Sequence, residues 1–287
     1  MRHKAGIIAS ILLILCGMGV LLYPMLSDWY ERAHHGEVIR TYQSDVAGMQ
    51  PEQITGARAE AEAYNAQLHE LVKNQEVFVA DFEKQNLTYE QLLNENADGV
   101  MSYIEIPCID VFLPIYHGTS ERVLAKGAGH MVNTSLPVGG VSTHCVISAH
   151  RGDPSATLFS DLDQLQEGDE FYLHTLNERL GYKIDQIKVV LPYETDDFRI
   201  VDGKDFVTLV TCTPYSVNSH RLLVRGERIP LFPSEPMETE TATMDQCVQP
   251  FDYSVYMYVL LMVMIVGCIG TARRVVRKIR REKYEKK

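Results

Sequence analysis

Six cysteines, one tryptophan, 19 glycines and 12 prolines in 287 residues leave several protein classes without support. Glycine and proline are too few for a collagen-like or low-complexity chain, and cysteine is too sparse for a disulfide scaffold. The sequence has no Cys-x-x-Cys and no His-x-x-x-His. No metal site is therefore expected, and no cofactor. His144 and His150 stand six apart, a weak spacing for a metal, and most of the histidines are expected to be structural or on the surface. Positive charge is the minority sign, 27 Lys and Arg against 38 Asp and Glu, for a net charge of −11. That balance argues against a nucleic-acid partner.

Charge is also missing locally. Ala5–Leu26 and Tyr253–Ala272 contain no charged residue, over 22 and 20 positions. Each is long enough to cross a hydrocarbon core of ~30 Å as a helix. Arg2, His3 and Lys4 precede the first, and a tail with nine Lys and Arg follows the second. The positive-inside rule then places both termini in the cytoplasm and the acidic middle outside. A cleaved signal peptide is the rival for the first span. Its apolar run is longer than a usual signal core, and Leu22-Tyr23-Pro24-Met25 offers no A-x-A-like site. The expectation is a membrane-tethered extracytoplasmic domain with two spans.

Composition divides the chain further. Residues 1–26 form the cytoplasmic end and anchor, 27–97 a helical extension, 98–232 a β-rich domain, 233–252 a linker, 253–272 the second span and 273–287 the basic tail. In the extension, Ile54, Ala57, Ala61, Tyr64, Leu68 and Leu71 recur at spacings of three and four, which sets them on one helix face. Pro51 suits the first turn of that helix. Asn94–Gly99 is turn-rich and ends the helical region. Short strands are expected at 102–106, 111–116, 145–148, 170–174, 182–191, 206–212 and 221–228, with helical turns at 120–126 and 158–165. The fold class is mainly β, a closed or nearly closed barrel with short helices. Cys108, Cys145, Cys212 and Cys247 lie outside the spans, where disulfides persist. Four cysteines allow three full pairings, and their spacing selects none.

One constellation carries chemistry. The apolar β run Val207–Thr211 ends in Cys212, and Thr213–Ser219 has the composition of a loop. The chain then returns as His220-Arg221-Leu222-Leu223-Val224. A thiol at one strand's exit and a guanidinium at the next strand's entry share a rim if the strands pair. Alternation allows only one of His220 and Arg221 on the face of Cys212. His150 ends another apolar run, before the turn Arg151-Gly152-Asp153-Pro154, and is a second rim candidate.

The run Thr208-Leu209-Val210-Thr211-Cys212 resembles the TLxTC signature of sortases, the cysteine transpeptidases of Gram-positive surfaces. Its continuation through Pro214, Tyr215, Asn218, His220 and Arg221 to Gly226 resembles the class C, pilin-polymerising branch. So do Asp98–Pro107, Leu113–Ser120, Ser135–Gly140 and His150-Arg151-Gly152, and a second membrane span is a further trait of that branch. The resemblance covers 98–230. It implies a sortase-type β-barrel with Cys212 as nucleophile, His150 as general acid/base and Arg221 as oxyanion stabiliser. It also implies cleavage of an LPxTG-like sorting signal between Thr and Gly, with a pilin lysine as the incoming amine. Class C enzymes usually carry a lid with an Asp-Pro-Phe or Asp-Pro-Trp motif. The corresponding region here, Val77–Glu83, has no proline, which leaves Asp81 and Phe82 as a degenerate lid or no lid at all. Asp28-Trp29 abuts the first span and belongs to the juxtamembrane helix. Three alternatives stand. A housekeeping-type sortase would use a cell-wall precursor amine. A catalytically silent, tethered binding module would form no thioacyl adduct. A papain-like hydrolase would place its cysteine at a helix start, whereas Cys212 ends a β run.

Overall fold

The computed structural model describes residues 2–73, 89–94, 98–153 and 156–231, with single positions at 262, 270, 273 and 277. The lid candidates Asp81 and Phe82, the linker 233–252 and nearly all of the expected second span lie outside the described residues.

Helix α1, Arg2–Gly48, runs through the expected boundary at residue 26 without a break, although Pro24 lies inside it. Among the described residues it is the one helix long and apolar enough to cross a membrane. Its distal part packs Ile39, Tyr42 and Val46 against Val100, Tyr103 and Tyr116 of the barrel. Helix α2, Pro51–Lys73, begins at the proline, where a missing N–H leaves no extra donor unsatisfied. Only Ala61, Tyr64 and Leu68 of its apolar stripe are buried, and Leu71 at the end of the stripe is exposed. Asn65 on the same face exchanges two hydrogen bonds with the Leu136 backbone, donating at 3.2 Å and accepting at 2.7 Å.

Eight strands form the barrel: β1 Val100–Ile106, β2 Val111–His117, β3 Ala128–His130, β4 Thr143–Ser148, β5 Glu170–Thr175, β6 Glu178–Val190, β7 Asp205–Thr213 and β8 His220–Ile229. They close in the order β1-β2-β3-β4-β7-β8-β6-β5. Two neighbouring pairs, β2–β3 and β4–β7, are parallel. The seven expected strands are all present and each is longer than expected, although β6 ends at Val190, one residue before its expected end. The eighth, β3, was not anticipated because three residues around Gly129 give no alternation to read. The expected helical turn at 120–126 is a short helix, α3, Glu121–Leu124. That at 158–165 shrinks to a 3₁₀ turn over Leu162–Gln164.

The interior is filled by inward residues such as Ile104, Phe159, Phe171, Tyr182, Leu209 and Val224. Phe171 and Tyr182 stack with ring centroids 5.6 Å apart. Gly226 lies beside them, and a Cβ there would meet the Phe171 ring at 2.6 Å. The β6–β8 contact thus needs a residue without a side chain at that point.

Candidate active site

The site is built where β4, β7 and β8 lie side by side. β7 and β8 pair antiparallel with Cys212 opposite Arg221 and Thr213 opposite His220. Directly opposed residues point to the same face of a sheet, so Arg221 shares the face of Cys212 and His220 does not. On the other flank β4 runs parallel to β7, with Ser148 opposite Val210. The Ala149 N–H donates to the Val210 carbonyl at 3.2 Å, and the Thr211 hydroxyl donates to the Ala149 carbonyl at 2.9 Å. Continuing that register by two places brings His150 level with Cys212. Three side chains 71 positions or fewer apart in sequence therefore meet at one rim, with the thiol in the middle strand.

Period two also fixes which residues lie below them on the same face. Val210 precedes Cys212 on its face and Leu223 follows Arg221 on its own. With Val146, Val190 and Phe198 they form an apolar cluster separate from the barrel interior. Phe198, from a 3₁₀ turn at Asp196–Phe198, also borders a cleft with His69, Thr134, His144 and Asp202. The thiol thus stands at the end of a buried apolar cluster on its own face of the sheet.

Cys212 is a free, half-buried thiol. Arg221 donates from Nη1 to the carbonyls of Asn218 at 3.2 Å and His220 at 3.0 Å. Among the described residues no carboxylate pairs with it, so its charge is available to a developing anion. His150 Nε2 lies 3.3 Å from Oε2 of Glu121, at the start of α3, whose side chain is 92% exposed. Arg151 spans the two flanks. It pairs with Asp163, donates to the Thr213 hydroxyl at 3.2 Å, and lies 6.0 Å from the Tyr215 ring centroid. The residue after His150 is thereby tied to the residue after Cys212.

Glu121 and Arg151 were not singled out from the sequence. Arg151 was within reach, since it directly follows His150 and precedes a glycine turn. Glu121 was not, because nothing local marks an exposed acid as facing a histidine 29 positions on. His144 takes no part at the rim. Its Nδ1–H donates to the Arg199 carbonyl at 2.9 Å and its Nε2 accepts from the Thr208 hydroxyl at 2.7 Å. Burial pushes it down to about 4, so it is a neutral structural group. His130 is likewise lowered to about 4 by burial. Its Nε2–H donates to the Ser135 carbonyl at 2.9 Å and its Nδ1 accepts from the Tyr89 hydroxyl at 2.7 Å.

Residues 104–229 match the sortase-domain family. Sortase C1 of Streptococcus agalactiae is 45% identical over a superposition covering 68% of this chain and 100% of that one, at a TM-score of 0.63. The chain belongs to the sortase family. Sortase C of Streptococcus pneumoniae is also 45% identical, with 68% of this sortase and 97% of that chain covered and a TM-score of 0.61. Class C sortases are thus among its structural neighbours. In sequence alone, sortase A of Bacillus anthracis is 29% identical over 132 residues. This sortase spans 60% of that relative's length.

Proposed function

We propose that this protein is a membrane-anchored cysteine transpeptidase that cleaves an LPxTG-like sorting signal and transfers it to an amine. The observation that carries the reading is the register that sets Cys212 opposite Arg221, with His150 just past the end of the adjoining strand β4. The thiolate is the nucleophilic form of a cysteine. In this reading Cys212 Sγ attacks the Thr carbonyl carbon of the Thr–Gly bond, and the carbonyl oxygen takes the negative charge. Arg221 donates to that oxygen without giving up its own proton. The tetrahedral species collapses to a thioester as the C–N bond breaks, and His150 gives its proton to the departing glycine amine. An incoming primary amine then attacks the thioester, its proton passes to His150, and Cys212 leaves as thiolate. The product is a new amide, so no redox partner or metal is required.

For the amine we propose a lysine of a pilin subunit. The support is the class C neighbourhood, including the pneumococcal sortase C studied for its pilin substrate specificity. The apolar helix α1 supports anchoring, with Tyr23, Trp29 and Tyr30 exposed near the end of its uncharged run, as aromatic side chains are at a membrane interface. Two spans with both termini cytoplasmic complete the proposed topology. The test is incubation of the sortase with a sorting peptide and competing amines, followed by mass spectrometry. A thioester on Cys212 and an isopeptide to a pilin lysine are the expected products. Transfer to a cell-wall precursor amine in preference to lysine would replace pilus assembly with surface-protein attachment.

A further inference from the structure

His150 is followed by a loop that folds back beneath it. The Phe159 N–H donates to the His150 carbonyl at 3.1 Å, and the Gly152 N–H donates to the Ser160 hydroxyl at 3.1 Å. Leu158 and Phe159 are buried, and Leu158 sits at φ 43°, where a branched side chain without a local reason is uncommon. Something must hold this turn in place. The holding group comes from the other end of the sequence. One oxygen of Asp28, Oδ1, accepts from both the backbone N–H and the hydroxyl of Thr157, at 2.8 and 2.6 Å. Its second oxygen accepts from Arg32 Nε at 2.8 Å. Arg32 in turn pairs with Asp110 at the β1–β2 corner and donates to the Thr157 hydroxyl at 3.3 Å. Asp28 and Arg32 are one helical turn apart, so one face of α1 grips both the His150 loop and the barrel corner.

We propose that Asp28 is a positioning residue for His150, acting through Thr157. The inference rests on the reading of His150 as the acid/base. The mechanical path is short: carboxylate, Thr157, the turn to Phe159, and the His150 carbonyl. Loss of the carboxylate frees the turn while leaving Cys212 and Arg221 untouched. Asp28 is also only two residues beyond the uncharged run of α1. The helix that anchors the enzyme therefore also completes the support of its acid/base.

The test uses the full-length sortase in detergent or membranes, with Asp28→Ala, Asp28→Asn, Thr157→Val and Thr157→Ser. A small misplacement of a catalytic group is costly, so kcat is expected to fall about tenfold or more in Asp28→Ala and Thr157→Val, with KM within about twofold of wild type, and to fall less in Asp28→Asn, whose amide oxygen still accepts from Thr157. Thr157→Ser keeps the hydroxyl and should restore most of kcat. The Asp28→Ala/Thr157→Val double variant should be no worse than either single variant, because both cut the same link. Alkylation of Cys212 should proceed at the wild-type rate throughout, a result that general unfolding would not give. His150→Ala run in parallel separates the two levels. Full turnover in His150→Ala overturns the reading of the site itself. An inactive His150→Ala beside an unimpaired Asp28→Ala, or additive losses in the double variant, overturns the positioning role alone.

Discussion

Two free cysteines sit on adjacent strands of the barrel and could hardly be placed more differently. Cys145 lies within β4, opposite Val207 of β7 and 3% exposed among interior residues. Burial, and then the charge of Asp205, push its thiol well above the ordinary range. Cys212 lies near the end of β7, half-buried, with a guanidinium opposite and an imidazole-bearing loop on its other side. Chemically the residues are the same. Position along the strand separates a small apolar filler from a candidate nucleophile, because only a strand end lets polar groups converge without being sealed from water.

The sharpest way to break this comparison is to exchange the two thiols' fates. Cys212→Ala should eliminate the thioacyl adduct entirely, whereas Cys145→Ala should retain it at a stability cost of about 1 kcal/mol for the lost sulfur. Intact-protein mass spectrometry after incubation with a sorting peptide reads both. An adduct that survives Cys212→Ala and disappears in Cys145→Ala would reverse the assignment.

Next in size are the groups that surround Cys212 and have no equivalent around Cys145. Arg221→Lys keeps a charge but loses the planar donor fork, so the rate of peptide cleavage should drop ~10²-fold or more. His150→Ala should be comparably damaging. His220, opposite Thr213 and off the face of the thiol, should tolerate alanine with a change of only a few-fold. Turnover near wild type in Arg221→Lys would make the guanidinium a structural group.

The interior side of the comparison answers to pH. His130 and His144 are lowered to about 4 in the folded sortase, against 6.5 for an unperturbed imidazole. The unfolded chain therefore binds more protons between those values, and stability falls as pH drops from about 6.5 towards 4. Each histidine contributes roughly 3 kcal/mol to that loss when its titration is complete. Thermal midpoints measured across this range should fall steeply with acid, and less steeply once His144 is replaced by Gln. A flat profile would mean that these imidazoles are solvated. The smallest expected effect belongs to the rim. Glu121 is largely exposed, so its pairing with His150 is worth little, and Glu121→Gln should lower the cleavage rate by no more than about threefold.

These regions were unequally legible in the sequence. Alternation and turn residues located seven strands, because each has a wet and a dry face or a continuous buried run. β3 escaped, being too short to show a period. The pairing of Cys212 with Arg221 was nearly readable, since a hairpin with a defined loop constrains its own register. The place of His150 beside them was not, because it depends on a parallel β4–β7 pairing between strands 57 or more residues apart. That came from resemblance, not from pattern. The contact of Asp28 with Thr157 spans 129 positions and leaves no local trace at either end.

Closure of the eight-strand ring has one more consequence. An extended peptide commonly binds a sheet by lending itself as an additional strand, so that backbone bonds supply affinity whatever its side chains. A ring has no unpaired edge among its described strands to accept one. A guest peptide must then be held by side chains on the outer face and by the loops at the rim. On the proposed function, recognition would fall on exposed side chains of the rim loops such as Tyr215 and Val217, which can be changed without disturbing a single rung of the barrel. Selectivity in such an architecture is a property of its decoration, and the scaffold is free to stay the same while the guest changes.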